Sequence, residues 1–304
     1  MKFKKKTLIL NNKPKPARVD IFEFGSGAPR VAILNGLHGL ERSGGYLGLA
    51  YARQFKRQGL LSVIPFANPT SRDQNTRLTP EDRVDLNRVF PGANSGTLSI
   101  RLARKLFDYL KTFDLVIDIH NFPKMDMPFV GAWITQGPEK LQQRTLRLIQ
   151  SFRPEYIWKL DTRRDEKNKA GSLVEALLNS GVAAFSLEAP DIELIKPRHV
   201  TGFINGVERI FRSLNNSRDT KSQNPKLITR IPALAPISGF FVPQVRIGQM
   251  ISKNQPVGNL INMENLKTET IRSPIGGPAV FVLKKTLVKV GDRVAIIGNV
   301  LKEE

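Results

Sequence analysis

The stretch from Val31 to Gly44 constrains this chain more than any other. It begins with the apolar run Val31–Leu34, a pattern typical of a buried parallel strand, and then breaks at Asn35-Gly36. His38 and Glu41 follow directly. The carboxyl end of a parallel strand is where α/β sheets bind ligands, and a histidine and a glutamate at this spacing can reach one cation from the same loop. The stretch therefore predicts half of a metal site in an α/β fold.

Composition excludes several other classes of protein. The chain has no cysteine, which rules out disulfides and thiolate metal sites, so any metal must be held by histidine and carboxylate. No apolar run is long enough to span a membrane. The apolar segment after the basic N-terminus, Thr7–Leu10, is too short for a secretory signal. We therefore expect a cytoplasmic protein with no membrane partner.

The charge is strongly basic, with 47 Lys+Arg against 27 Asp+Glu and a net charge of +20. Such a surplus favours either nucleic acid or small anionic substrates as partners. The basic residues are spread along the chain, and no zinc-finger, helix-turn-helix or RNA-binding aromatic motif is present. We expect a small anionic substrate rather than a nucleic acid.

The pattern of elements changes along the chain. Apolar strand patterns alternate with amphipathic helix patterns over residues 1–214, which predicts an α/β domain with a sheet flanked by helices. Residues 215–230 begin with a polar run and are predicted to be a linker. Residues 231–304 contain short β-like runs separated by glycine and proline, which predicts a small all-β domain.

A second histidine completes the candidate metal site. The chain has only three histidines, and two of them, His38 and His120, directly follow buried-strand patterns. Parallel strands of one sheet bring their carboxyl ends together, so His38, Glu41 and His120 form a set of three ligands with an open position. That is the coordination of a catalytic zinc, although other divalent ions tolerate the same ligands. The alternative is that His120 is a capping or core histidine.

Hydrolysis at such a metal also needs a general base and a stabiliser of negative charge. Glu188 ends the apolar strand pattern Val182–Leu187 and is the candidate base; the alternative is a surface residue at a strand end. Arg77 and Arg88 lie in a long polar loop, residues 70–92, and could stabilise an oxyanion or bind a substrate carboxylate. In a chain with this many arginines, simple solvation is the alternative for each of them.

Together these residues resemble the succinylglutamate desuccinylase/aspartoacylase family, which is similar to a branch of the zinc carboxypeptidase fold. Five motifs occur in the family's order. They are Gly36-x-His38-Gly39-x-Glu41-x-x-Gly44, Ala67-Asn68-Pro69, Asp85-Leu86-Asn87-Arg88-x-Phe90-Pro91-Gly92, Asp118-x-His120-Asn121 and Leu187-Glu188. The resemblance implies a zinc-carboxypeptidase-like mixed sheet flanked by helices, and it covers most of residues 25–210.

The resemblance also implies a role for each candidate residue. One zinc ion per chain would be bound by three ligands, His38, Glu41 and His120. Glu188 would be the catalytic acid/base, Arg77 would polarise the scissile carbonyl, and Asn87 with Arg88 would hold a substrate carboxylate. The expected function is a zinc-dependent deacylase that cleaves the amide bond of an N-acyl amino acid or a similar small carboxylate. Two alternatives are a zinc carboxypeptidase acting on peptides and a non-catalytic binding protein on the same scaffold.

The C-terminal segment resembles the β-domain of this family, similar to the barrel-sandwich fold of biotinyl and lipoyl carriers. No carrier lysine motif stands at the expected hairpin, so two roles are open for it: capping the mouth of the active site, or mediating a homo-oligomer. One feature departs from aspartoacylase. Where that enzyme uses an arginine before its catalytic glutamate, this chain has Leu178, and Arg163 or Arg164 could replace that contact. The resemblance therefore leaves acyl-aspartate specificity open.

Overall fold

The computed structural model describes residues 2–11, 16–121, 125–160, 171–215, 225–284 and 286–301. The helices in this part of the chain are α1 Ser43–Ala52, α2 Pro69–Gln74, α3 Leu98–Leu110, α4 Glu139–Phe152, α5 Leu173–Asn179 and α6 Pro197–Leu214. The strands are β1 Lys4–Leu10, β2 Ala17–Ser26, β3 Arg30–Asn35, β4 Gly59–Ile64, β5 Leu115–Asn121, β6 Met125–Asp126, β7 Val130–Ile134, β8 Tyr156–Leu160, β9 Ala183–Ala189, β10 Lys226–Leu234, β11 Gly239–Pro243, β12 Met250–Ile251, β13 Pro256–Ile261, β14 Thr268–Arg272, β15 Gly277–Leu283, β16 Thr286–Val288 and β17 Arg293–Val300.

A large mixed sheet organises the molecule. Its strand order is β1-β2-β4-β3-β5-β9-β7-β8-β10-β17-β15-β12, and β6 adds to β15. The strands β4, β3, β5 and β9 are parallel, whereas β7 runs antiparallel to β9. A separate antiparallel sheet, in the order β14-β13-β11-β16, lies in the C-terminal segment. The predicted fold class, a mixed sheet flanked by helices with a small C-terminal all-β unit, is confirmed.

From Ile117 to His120, apolar and polar side chains of β5 alternate and therefore lie on opposite faces of the strand. Ile117 and Ile119 are fully buried on one face, where Ile119 touches α1. Asp118 and His120 point to the opposite face, because successive side chains of a strand alternate. Helices α1 and α4 both pack on α6, whereas α3 packs on α5. The apolar side chains of β5 therefore pack in the core beside α1, whereas Asp118 and His120 lie together on the opposite face of the strand.

Strands of the C-terminal segment belong to the large sheet, whereas the sequence predicted an α/β domain at residues 1–214, a linker at 215–230 and a separate β domain at 231–304. Strand β10 begins at Lys226, inside the range predicted to be a linker, so the linker prediction is wrong from that residue onward. The strand pairs in parallel with β8 and antiparallel with β17, and the sheet therefore continues across residue 231. Residues 216–224 of the predicted linker lie outside the described residues.

Membrane insertion through a helix finds no support in the described residues. Among the helices given above, none is both long and apolar enough to cross a bilayer.

Candidate metal centre and active-site cleft

The loop after β3 carries the first two candidate ligands. Gly36 has a φ of 76°, a conformation that favours glycine, and it turns the chain out of the strand. The backbone N–H of Asn68 donates to Gly36 O at 2.8 Å, and that of Glu41 donates to His38 O at 3.1 Å. The loop packs closely against α2 at Gly39. A Cβ on this residue would lie 2.0 Å from a backbone oxygen of that helix, so only glycine permits the contact. The loop is thus fixed by backbone contacts that its glycines permit.

The three candidate ligands converge around one carboxylate. Oε1 of Glu41 lies 2.8 Å from Nδ1 of His38, and Oε2 of the same residue lies 2.8 Å from Nδ1 of His120. The two imidazole rings are 5.5 Å apart between centroids. One ligand atom from each residue lies within 4.8 Å of the other two. These buried residues, predicted from separate motifs, could hold a metal ion.

A carboxylate also binds the outer nitrogen of each histidine. Nε2 of His38 lies 3.0 Å from Oδ1 of Asp85, and Nε2 of His120 lies 2.8 Å from Oδ2 of Asp118. An Nε2–H that donates to a carboxylate leaves the Nδ1 lone pair for a cation, which is the usual arrangement around metal-bound histidine. The donor chemistry therefore fits a divalent metal ion placed between the Nδ1 atoms and Glu41.

The electrostatics of the cluster agree with a cation site. Burial by itself would lower the pKa of His120, but Asp118 and Glu41 outweigh it and hold that pKa well above its usual value. Burial would raise the pKa of Glu41, but His120 and His38 lower it to about 2. The cluster therefore stabilises positive charge at the two imidazoles, and a bound divalent cation would replace the protons there.

Glu188 stands beside this cluster at the end of β9. It is paired in register with His120 of β5 and is 7% exposed. Its Oε2 has no hydrogen-bond partner among the residues that the structure describes, and Nη1 of Arg230 lies 3.9 Å from its Oε1. Burial raises the pKa of Glu188, while Arg230 and His120 oppose that rise. A buried carboxyl group whose pKa is raised is suited to act as a general acid/base.

The long loop brings its two predicted arginines to the same place. Nη2 of Arg77 donates to Oδ2 of Asp85 at 2.9 Å, and Nη1 of Arg88 donates to the backbone oxygen of Asn87 at 2.7 Å. The side-chain oxygen of Asn87 accepts from the backbone N–H of Leu173, at the first turn of α5, at 2.9 Å. Asn87 thus has a structural contact in addition to the substrate contact predicted for it.

A cleft of about 450 Å³ unites these groups. Each of the seven site residues predicted from the sequence lines it: His38, Glu41, Arg77, Asn87, Arg88, His120 and Glu188. The C-terminal segment completes the wall with Arg230, Pro232, Arg293 and Ile296. The C-terminal segment therefore forms part of the wall of the cleft, and its two predicted roles, capping the mouth and mediating a homo-oligomer, stay predictions.

Two residues beside the site were not assigned a role from the sequence. Asp85 belongs to the quoted motif Asp85-Leu86-Asn87-Arg88, and its position two residues before the predicted binding pair is the signal that could have found it. Arg230 lies in the range predicted to be a linker and belongs to none of the motifs. Its position beside Glu188 results from strand pairing between distant segments.

Asn121 ties three loops together behind the cluster. Its side-chain oxygen accepts from the backbone N–H of Ser43 at 3.3 Å, and its amide nitrogen donates to Asp191 at 3.4 Å. The hydroxyl of Ser43 in turn donates to the backbone oxygen of Pro190 at 2.6 Å. The ends of β5 and β9 and the start of α1 are thereby held in register around His120 and Glu188.

Comparison with known proteins identifies a family over most of the first part of the chain. A sequence model of the succinylglutamate desuccinylase/aspartoacylase catalytic domain matches residues 27–214. Among curated proteins, the chain is 20% identical to an N-alpha-acetyl-L-2,4-diaminobutyric acid deacetylase of Halomonas elongata, over 93% of this chain and 86% of that protein.

Solved structures share the whole fold. A succinylglutamate desuccinylase/aspartoacylase from Rhodobacter sphaeroides superimposes with a TM-score of 0.82 at 19% identity, covering 99% of this chain and 96% of that one. The product-bound ectoine utilization protein EutE (DoeB) from Ruegeria pomeroyi gives a TM-score of 0.84 at 19% identity, covering 97% and 94%. At these identities the superpositions establish the fold.

Proposed function

This chain belongs to the succinylglutamate desuccinylase/aspartoacylase family, and we propose that it is a zinc-dependent hydrolase that removes the acyl group from an N-acyl amino acid or a similar small carboxylate-bearing amide. The observation that carries the proposal is the convergence of His38, Glu41 and His120 beside the buried carboxyl group of Glu188. Three protein ligands of this type beside an open cleft are characteristic of a catalytic rather than a structural zinc site.

In this proposal His38, Glu41 and His120 would hold one zinc ion, with the two histidines offering Nδ1 and Glu41 its carboxylate. Asp85 and Asp118 fix the rings through their outer nitrogens. When bound, zinc supplies a water molecule of lowered pKa and polarises the substrate carbonyl. Zinc is favoured by the nitrogen and carboxylate ligands, although other divalent ions bind similar sets.

Glu188 is the group that moves the proton. It accepts a proton from the attacking water and returns it to the nitrogen of the leaving amine. Burial raises its pKa, so that the carboxyl group can hold a proton between the two steps. The unpartnered Oε2 leaves one carboxyl oxygen available for the water.

The arginine loop binds and polarises the substrate. Arg88 and the amide group of Asn87 bind the substrate's carboxylate, since a guanidinium group can engage both carboxylate oxygens. Arg77, oriented by Asp85, donates to the carbonyl oxygen as negative charge develops on it. The arginines in the cleft favour an anionic substrate, in agreement with the net charge of +20.

Leu178 bears on the amino-acid part of the substrate rather than on its acyl group. Leu178, at the position of the aspartoacylase arginine, is fully buried in α5, and it is not among the residues that line the cleft. Leu178 therefore offers no charge to the second carboxylate of an acyl-aspartate, and Arg163 and Arg164, the alternative partners, lie outside the described residues. The Halomonas elongata relative is named for removing an acetyl group from a diamino acid; we propose the same reaction type here, with the amino acid open.

The first experiment measures the metal content of the purified protein beside that of His120→Ala. We expect about one zinc per chain in the wild type and loss of it in the variant. A wild type that holds no metal, and gains none from added zinc, would instead support the non-catalytic binding protein.

The second experiment is a substrate panel. N-acetyl and N-succinyl amino acids are compared with their carboxamide analogues and with short peptides. Arg88→Met should raise KM for the carboxylates and leave KM for the carboxamides unchanged, because only the former lose an ion pair. Efficient release of C-terminal residues from peptides, without deacylation, would favour the carboxypeptidase alternative.

A further inference from the structure

Arg230 reaches the cleft from a strand outside the matched catalytic domain. It lies on β10, opposite Gly298 of β17, and two residues after Ile228, which pairs with Trp158 of β8. Its side chain is 11% exposed and lines the cleft. A charged side chain that is this deeply buried is almost always paired with another group, so the groups around Arg230 indicate its role.

The position of the Arg230 guanidinium group is fixed by an aromatic ring. The group lies over the indole ring of Trp158, and Nη1 lies 3.9 Å from Oε1 of Glu188. A planar guanidinium stacks on an aromatic face more stably than an ammonium group does. Arg230 therefore presents a charge of fixed position to one oxygen of Glu188.

The other charges around Glu188 make this contact important. Burial raises the pKa of Glu188, and the guanidinium of Arg230 is the largest opposing influence, followed by His120. Glu41 and Asp118 act on it as like charges. Without Arg230, a buried carboxylate would face two other carboxylates and would be free to turn away from them.

We infer that Arg230 is a positioning residue for Glu188: its stacked guanidinium group attracts Oε1, holds the carboxyl group in one orientation and leaves Oε2 toward the reacting water. The carboxyl oxygen nearest to the guanidinium group is Oε1, at 3.9 Å, whereas Oε2, the oxygen that exchanges protons, has no hydrogen-bond partner among the described residues. This inference rests on the role proposed for Glu188 as the acid/base.

The kinetic test compares the zinc-loaded wild type with Arg230→Ala, Arg230→Lys and Lys226→Ala. Lys226 is an exposed cation on the same strand and serves as the matched control. We expect kcat to fall by about 100-fold in Arg230→Ala with KM nearly unchanged, because a misplaced catalytic group slows chemistry rather than binding. Arg230→Lys should recover part of kcat, and Lys226→Ala should behave as the wild type does.

Guanidinium ion added to Arg230→Ala provides a readout that a purely structural role would not give. We expect it to restore part of kcat in that variant and to leave Lys226→Ala unaffected. A kcat equal to that of the wild type in Arg230→Ala would overturn the inference. So would a raised KM with unchanged kcat, since Arg230 would then bind substrate instead.

A second test needs no substrate and so separates this inference from the proposed function. Thermal unfolding of zinc-loaded Arg230→Ala, Glu188→Gln and the double variant forms a mutant cycle. If the two side chains interact, the shift in Tm of the double variant differs from the sum of the single shifts. Additive shifts would overturn the inference, whereas a wild type without amidase activity would overturn the proposed function alone.

Discussion

Nε2 of His38 lies 3.0 Å from Oδ1 of Asp85, although the two residues are 47 positions apart in the chain. The other carboxylate oxygen, Oδ2, accepts from Nη2 of Arg77 at 2.9 Å. Oδ1 also accepts from the backbone N–H of Asn87 at 3.0 Å. One aspartate therefore connects a candidate metal ligand, the candidate carbonyl-binding arginine and the loop that carries the carboxylate-binding pair.

Replacing Asp85 by alanine should weaken the metal site and the arginine contact together. The loss of a carboxylate that orients a metal-bound histidine typically reduces metal affinity by about 10- to 100-fold. Asp85→Asn keeps an acceptor for His38 but loses the charge that holds Arg77. We expect it to retain more zinc affinity than Asp85→Ala while showing a similar loss of kcat.

The measurement is zinc competition against a chelator of known affinity, followed by kinetics at saturating zinc. Asp73→Asn, a change at an exposed aspartate on α2, serves as the control. Equal zinc affinity in Asp85→Ala and the wild type would contradict the role given to this carboxylate.

Glu188→Gln should separate metal binding from proton transfer. The amide keeps the size of the side chain but cannot accept the proton, so kcat should fall by about 10²- to 10⁴-fold. Zinc content should stay at the wild-type level, because the three ligand atoms come from other residues. Zinc content and initial rates are measured on the same preparation of Glu188→Gln. Turnover at the wild-type rate would show that Glu188 is not the acid/base.

The candidate metal site could be predicted from the sequence because local patterns determine it. Strands β3 and β5 pair in parallel, with Asn35 opposite Ile119, and β5 pairs with β9, with His120 opposite Glu188. Polar residues that end neighbouring parallel strands must therefore lie together. The three buried-strand patterns placed His38, His120 and Glu188 at strand ends, and the resemblance to the family assigned each of them its role.

Arg230 could not be predicted in the same way, since its position depends on pairing with distant strands. The segment contains Pro232, which argues against a central strand. In the structure the pairing of β10 with β8 ends at Ile228, so that Pro232 pairs with β17 alone. The polar run before this segment predicted a linker, although the sheet continues through Lys226–Leu234.

Gly44 should be intolerant of a side chain because α1 packs on β5 there. A Cβ at this position would lie 2.5 Å from Cβ of Ile119, the residue before His120. Gly44→Ala should lower the free energy of unfolding by about 1–3 kcal/mol through overpacking. Gly202→Ala is the matched control, since that helical glycine is exposed and its Cβ would meet nothing closer than 3.9 Å.

For Gly202→Ala we expect stabilisation of up to about 1 kcal/mol, from the better helix propensity of alanine. Urea unfolding of both variants measures the difference. A Gly44→Ala protein as stable as the wild type would show that α1 can move away from β5 at little cost in free energy. Its zinc content would then show whether the loop that carries His38 and Glu41 moves with α1.

Acid should remove the contribution of Asp82 to stability. Its Oδ2 accepts from the backbone N–H of Ser99 in the first turn of α3 at 2.8 Å, and its Oδ1 accepts from the Ser99 hydroxyl at 2.9 Å. Burial raises the pKa of Asp82, but the donors of Ser99, Thr97 and Val84 outweigh it and lower the pKa below the usual value.

A carboxyl group whose pKa is lower in the folded than in the unfolded state stabilises the fold above its unfolded pKa of about 4, and this contribution is lost as the pH falls through the folded pKa. Asp82→Asn should therefore be less stable than the wild type by about 0.5–2 kcal/mol at neutral pH, the usual effect of losing a helix cap. The gap should narrow as the pH falls below about 4, because protonation then removes the same interaction from the wild type. Urea unfolding at a series of pH values measures this difference in the free energy of unfolding, with Asp73→Asn, a change at an exposed aspartate, as the control. A difference that stays constant with pH would mean that the ionised form of Asp82 does not stabilise α3.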